Sequence, residues 1–184
     1  MYNFLYKACD SIRGPVSHEN FKDYITPLLY FKRLSDVYDE ETAVALQESG
    51  GDEEYAAFPE QHRFVIPDGY HWSDIRNRTE NLSSAIVGAM RQIELANLQT
   101  LFGVLSIFGT SNWMNKTILE DAKIRDLIEH FSSRKLGNND YPADLMGDAN
   151  EILLKQFADE SKKKAGEFYT PRSVVRLLQS RYPV

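Results

Sequence analysis

Phe21-Lys22-Asp23-Tyr24-Ile25-Thr26-Pro27-Leu28-Leu29-Tyr30-Phe31-Lys32-Arg33-Leu34-Ser35-Asp36-Val37-Tyr38 repeats apolar residues every three or four positions. Phe21, Tyr24, Ile25, Leu28, Phe31, Leu34 (or Ser35) and Tyr38 fall on one broad face, as a core-facing helix requires. Ser17 is a plausible cap, with Asn20 in place of the preferred Glu or Gln of a capping box. Pro27 removes the backbone donor that would bond the Asp23 carbonyl. Because the apolar spacing continues on both sides, a kink is expected there and not a stop. Asp36, Asp39, Glu40 and Glu41 superficially resemble paired catalytic acids, but they read better as the solvated face of the helix.

Outward from this segment the chain keeps the same period. Phe4, Leu5, Ala8, Cys9 and Ile12 form a first helix that Gly14-Pro15 stops. Gly50 to Glu54 reads as a flexible surface loop. Phe64-Val65-Ile66, closed by Pro67-Asp68-Gly69, predicts a brief strand and a turn. Asn81 (or Thr79) is placed to cap a helix bearing Leu82, Ala85, Ile86, Ala89, Met90, Ile93 and Ala96. Leu101 to Phe108, punctuated by Gly103 and Gly109, fits either helix or buried loop. Asn115 (or Thr117) opens a run with Ile118, Leu119, Ile124, Leu127, Ile128 and Phe131 inward. After the polar break at Gly137 to Asp140, Leu145, Ala149, Ile152, Leu153, Gln156 and Phe157 form a last amphipathic stripe. The expected fold is mainly α.

Composition narrows the function. The 184 residues are 42% hydrophobic, enough for one sizeable core. A single cysteine, Cys9, rules out an internal disulfide and fits a reducing compartment. The first residues lack the basic leader and apolar run of a signal peptide, and no stretch approaches the ~20 apolar residues of a membrane span. A soluble, cytoplasmic protein is expected. His18, His62, His71 and His130 have no ligand-spaced companions, so no metal site is expected. The net charge of −6 argues against tight DNA binding by the chain alone. Residues 1–60 carry five basic against twelve acidic residues. Residues 161–184 reverse this, with Lys162, Lys163, Lys164, Arg172, Arg176 and Arg181 against Glu167 alone. That cluster is either a solvated lysine turn or a phosphate-facing edge.

Those cations surround Gly166-Glu167-Phe168-Tyr169-Thr170-Pro171-Arg172, a loop turning into a helix. Thr170 suits the cap and Pro171 the first helical position, and Val174, Val175, Leu177 and Leu178 supply an apolar face. The helix start is either a structural cap or a place for a carboxylate or phosphate. The string from Lys163 to Arg172 resembles the cofactor-side motif of N6-adenine DNA methyltransferases. More narrowly, it resembles the modification (M) subunit of type I restriction–modification systems. Lys7 to Gly14, Tyr24 to Tyr38, Ile66-Pro67 before His71-Trp72, and Gly147-Asp148-Ala149 before Leu153-Leu154 fit the same family in order. Asn150 and Ile152 depart from it, where tyrosines are common.

The resemblance implies a helical bundle domain over 1–142. Over 143–184 it implies the first motif and helix of an α/β, Rossmann-like, S-adenosylmethionine-dependent domain. It implies that Glu167, Phe168, Tyr169, Thr170, Pro171 and Arg172 line the S-adenosylmethionine pocket, with Thr170 near the methionine end. It further implies work with a specificity (S) subunit, a second M subunit, a restriction (R) subunit and DNA. The family's glycine-rich cofactor loop and Asn-Pro-Pro-Phe motif are absent from the chain, which ends about where the first strand should begin. No catalytic residue is therefore assigned, and an assembly or clamp role is expected. The alternative from another class is a helical protein–protein interaction module that never binds cofactor.

Overall fold

The computed structural model describes residues 1–17, 20–105, 113, 119–142 and 144–160, with side chains to 149 and at 151–153 in the last segment. Its helices are α1 (Tyr2–Ser11), α2 (Phe21–Glu48), α3 (Glu53–Ala56), α4 (Trp72–Arg76), α5 (Leu82–Ala96), α6 (Leu98–Leu101), α7 (Asp121–Ser132) and α8 (Leu145–Glu160), with a 3-10 turn at Pro59–Gln61. Among the described residues there is no strand, only an isolated bridge between Arg13 and Val16. The fold is mainly α, as expected.

α2 is the centre, packing against α1, α3, α4, α7 and α8. Phe21, Tyr24, Ile25, Leu28, Leu29, Phe31 and Leu34 are buried in one core with Leu5 and Ile12 of the N-terminal segment, Ile86 and Ile93 of α5, and Leu127 and Phe131 of α7. Each large apolar side chain so enclosed contributes about 1.5–3 kcal/mol. The apolar stripes of α5 and α8 point inward as their spacing predicts, with Leu145, Ala149 and Leu153 buried on α8, except that Ala96 at the end of α5 is exposed. Gln156 and Phe157 lie outside the described side chains.

Several expectations need correction. α2 begins at Phe21 with Asn20 as its cap, not at Ser17, and Asn20 makes no side-chain cap bond. The Ser17 carbonyl instead accepts from the Asn20 N–H, so a further turn precedes the helix. At Pro27 the helix does not stop, as expected, and α2 runs on to Glu48. Its middle is buried all round and not on one face alone: Lys32, Arg33, Ser35 and Asp36 are enclosed with the apolar residues. Gly50 and Gly51 take positive φ after α2, and Asp52 then caps α3 by accepting from the Tyr55 N–H at 3.0 Å. The expected loop is thus an exposed turn only over Gly50 to Asp52, and Glu53 and Glu54 already belong to α3. Phe64-Val65-Ile66 is not a strand. The Asn97 amide accepts from the Val65 N–H and donates to the Val65 carbonyl, both at 2.8 Å. One side chain thus replaces a strand neighbour, while the turn at Pro67 to Tyr70 forms as expected. α7 begins at Asp121, after a buried Leu119; Asn115, Thr117 and Ile118 lie outside the described residues. Asn81 does cap α5, in a left-handed conformation and without a side-chain cap bond.

Candidate functional site

Glu167, Phe168, Tyr169, Thr170, Pro171 and Arg172 lie outside the described residues, as do Lys162, Lys163 and Lys164. The site that the structure does describe is a charged seam on α2. It was not legible as a site in the sequence. Lys32 and Asp36, one helical turn apart, form a buried ion pair, and the Lys32 ammonium also lies 5.8 Å from the centre of the Trp72 ring. The Asp36 carboxylate accepts from the Leu136 N–H at 2.6 Å. Arg33 donates to the Leu136 carbonyl, to Asn138 Oδ1 at 2.5 Å and to the Pro142 carbonyl at 3.4 Å. Burial lowers the Arg33 pKa, and Glu40 and Asp36 partly offset that. The guanidinium remains charged.

One turn on, the Glu40 carboxylate accepts from the Asn138 N–H at 2.6 Å and the Asn139 N–H at 3.2 Å. Glu41 faces the other way, pairing with Arg63 at 3.1 Å. Of the acidic row only Asp39 is exposed as expected; Asp36 is buried, and Glu40 and Glu41 are half-buried. Three of its four members cross-link segments far apart in sequence. Its signal was a pair of charges, Lys32-Arg33, inside an otherwise apolar run. Beside the seam lies a cavity of about 250 Å³ lined by Asp36, Asp39, Glu40, Val44, Lys135 and Asn139 among others. Desolvation and the neighbouring Asp36 raise the Asp39 pKa, and His71, Lys32 and Lys135 pull it back.

The histidines described are structural. His62 stacks on Tyr38 at 3.8 Å between ring centres, and its Nε2 contacts the Ala56 carbonyl at 2.8 Å. His71 caps α4, whose Trp72 donates to Ser132 Oγ at 2.9 Å. His130 Nε2 donates to the Phe4 carbonyl at 2.9 Å, which places the proton on that nitrogen. Among the described residues, no group of His, Cys, Asp and Glu could hold a metal ion, and no helix is long and apolar enough to cross a membrane.

This geometry is that of a helical scaffold whose polar groups bind its own chain. A family profile described as the HsdM N-terminal domain matches residues 1–131, and one described as N-6 DNA methylase matches residues 141–182. The chain belongs to the HsdM N-terminal domain family. It is 26% identical to the type I restriction enzyme StySPI methylase subunit of Salmonella potsdam over 95% of its length. It is likewise 26% identical to the EcoKI methylase subunit of Escherichia coli K12, and 31% identical over 94% of its length to the MjaVII methylase subunit of Methanocaldococcus jannaschii. The chain spans 28% of the length of the first two relatives and 30% of the third. A crystal structure of the type I restriction–modification methyltransferase subunit from Streptococcus thermophilus matches 98% of the chain and 42% of that protein. The TM-score is 0.61 at 21% identity, a likeness of fold. The resemblance read from the ordered motifs is borne out.

Proposed function

We propose that the chain is the N-terminal part of a type I modification subunit. In the full-length subunit, a methyl group passes from S-adenosylmethionine to the N6 amine of an adenine in DNA, a base reached by swinging it out of the duplex. Residues 1–142 act as the assembly and clamp domain, and residues 143–184 open the methyltransferase domain. Glu167, Phe168, Tyr169, Thr170, Pro171 and Arg172 form one wall of the cofactor site. The ring faces of Phe168 and Tyr169 suit a flat base, and the helix start at Thr170-Pro171 suits a carboxylate. S-adenosylmethionine supplies the activated methyl group; these residues bind and orient it. The S, R and second M subunits are the partners, and DNA is engaged in that complex. The carrying observation is the order of the two family matches along one chain, helical domain first and methylase segment second.

The reading also makes the 184-residue chain non-catalytic by itself, and affinity arithmetic provides its test. Aromatic and helix-terminus contacts contribute about 1 kcal/mol each, whereas association costs at least ~4 kcal/mol. One wall should therefore bind S-adenosylmethionine no better than about millimolar. Isothermal titration of this chain beside a full-length subunit should show tight binding only for the latter, weakened there by Thr170→Ala. Micromolar binding by this chain would refute the one-wall reading. Thr170→Ala that unfolds the protein without changing its residual affinity would make Thr170 only a cap. The interaction-module alternative draws on the seam, whose buried charges all serve packing; it predicts that the full-length protein also ignores the cofactor.

A further inference from the structure

The two family matches leave residues 132–140 between them, and the α2 seam grips the chain at this junction. Glu40 covers the N–H groups of Asn138 and Asn139. Arg33, seven residues earlier and so on the same face of α2, takes the carbonyls of Leu136 and Pro142 with the Asn138 side chain. The Pro142 carbonyl also accepts from the N–H of Leu145, the first residue of α8, at 3.0 Å. One guanidinium is thus tied to the first turn of α8. Gly137 completes the fit, because a Cβ there would overlap the Glu40 carboxylate. Such a placement of donors against carbonyls and acceptors against N–H groups satisfies a segment that crosses between two units without regular structure.

We propose that residues 136–142 are a fixed joint. Arg33 and Glu40, two turns apart on one face of α2, hold its carbonyls and its N–H groups respectively, and so set the direction in which α8 leaves the helical domain. Apolar burial of Leu145, Ala149 and Leu153 keeps α8 docked, while the polar clamp fixes its entry. The inference rests on the geometry of this chain and not on methyl transfer, so the two can fail separately.

Amide hydrogen exchange on the 184-residue chain is the test. Glu40→Ala should speed exchange at least about tenfold, the equivalent of one ordinary hydrogen bond's worth of opening. The effect should reach beyond Asn138 and Asn139 to the first turn of α8, and leave α5 and α7 unchanged. Gly137→Ala, which displaces the same carboxylate from the opposite side, should do likewise, and the double variant should be no worse than Glu40→Ala alone. Arg33→Lys should give the same local pattern. If the acceleration stays at Asn138 and Asn139, the clamp does not control α8. If α5 and α7 accelerate equally, Glu40 serves global stability. Additive loss in the double variant would show that Gly137 and Glu40 act separately. Each of these three results overturns the proposal.

Discussion

At Asp23, the backbone carbonyl that an N–H at position 27 would engage is taken by the Trp113 indole, whose Nε1 donates at 2.7 Å. The proline costs α2 one bond, and a distant side chain restores it, which is why the helix continues. Trp113 is fully buried and its ring lies 5.3 Å from that of Tyr24. Trp113→Phe keeps most of that packing but orphans the carbonyl, a loss of about 1–3 kcal/mol. The same change in a Pro27→Ala background should cost less, because the restored N–H can serve Asp23. Urea midpoints around this double-mutant cycle would measure the coupling; equal costs in both backgrounds would show that the indole bond contributes nothing specific. His130 gives the residue scale a pH signature. Burial lowers its pKa, with Lys7 and Arg134 acting in the same direction and the Phe4 carbonyl opposing them. The unfolded chain therefore takes up the proton first. The stabilisation is complete above the ordinary histidine value near ~6.5 and is lost as pH falls through it towards the lower folded value. His130→Gln should flatten the acid side of a stability–pH curve, and an unchanged slope would refute this assignment.

The elements differ in how much of themselves the local sequence discloses. α5 was legible because Leu82, Ala85, Ile86, Ala89, Met90 and Ile93 are buried at helical spacing, and the period alone determines that face. The Phe64-Val65-Ile66 run was misread because its partner, Asn97, lies 32 residues away and on a helix cap, where no strand signal exists. Asp36 and Glu40 were misread for the same reason: their acceptor roles depend on amides 98 and 100 residues distant. Long-range polar satisfaction leaves no periodic trace. The motif residues Glu167 to Arg172 were identified by their order within a family pattern, not by any local physical signal. A test at this scale follows from Asn97. Asn97→Leu removes both bonds to Val65 as well as the one to the Ile93 carbonyl. Since Val65 is only half-buried, water recovers part of the loss, and about 2 kcal/mol is expected. Asn97→Asp keeps an acceptor for the Val65 N–H but sets a buried carboxylate against the Val65 and Ile93 carbonyls, so it should cost more than Leu. Denaturant melts that rank Asp equal to or better than Leu would remove the two donated bonds from the account.

At the scale of the whole molecule, the question is whether a domain with net charge −6 holds DNA by itself. Non-specific affinity depends on cations free to displace counterions from phosphates, and its salt dependence reports their number. Here the first 60 residues carry a net −7 and the remainder +1. Several described cations are already engaged by the fold. Lys32 and Arg33 are buried in the seam. Arg63 meets Glu41 and Arg76 meets Glu129, while Arg125 donates to the carbonyls of Arg76 and Arg78. The remaining concentration of positive charge lies between Lys162 and Arg181 in sequence. Repulsion by the acidic first third of the chain should largely cancel its attraction at low salt, where charges interact over tens of ångströms, on the order of 30 Å at 0.01 M. Fluorescence anisotropy with a short duplex should therefore give a Kd weaker than about 100 µM at moderate salt and a shallow salt slope. A micromolar Kd with a slope of several ions released would show that the basic residues near the end form a phosphate-binding surface by themselves. In that case the clamp role proposed for residues 1–142 would not be needed to explain how the chain engages DNA.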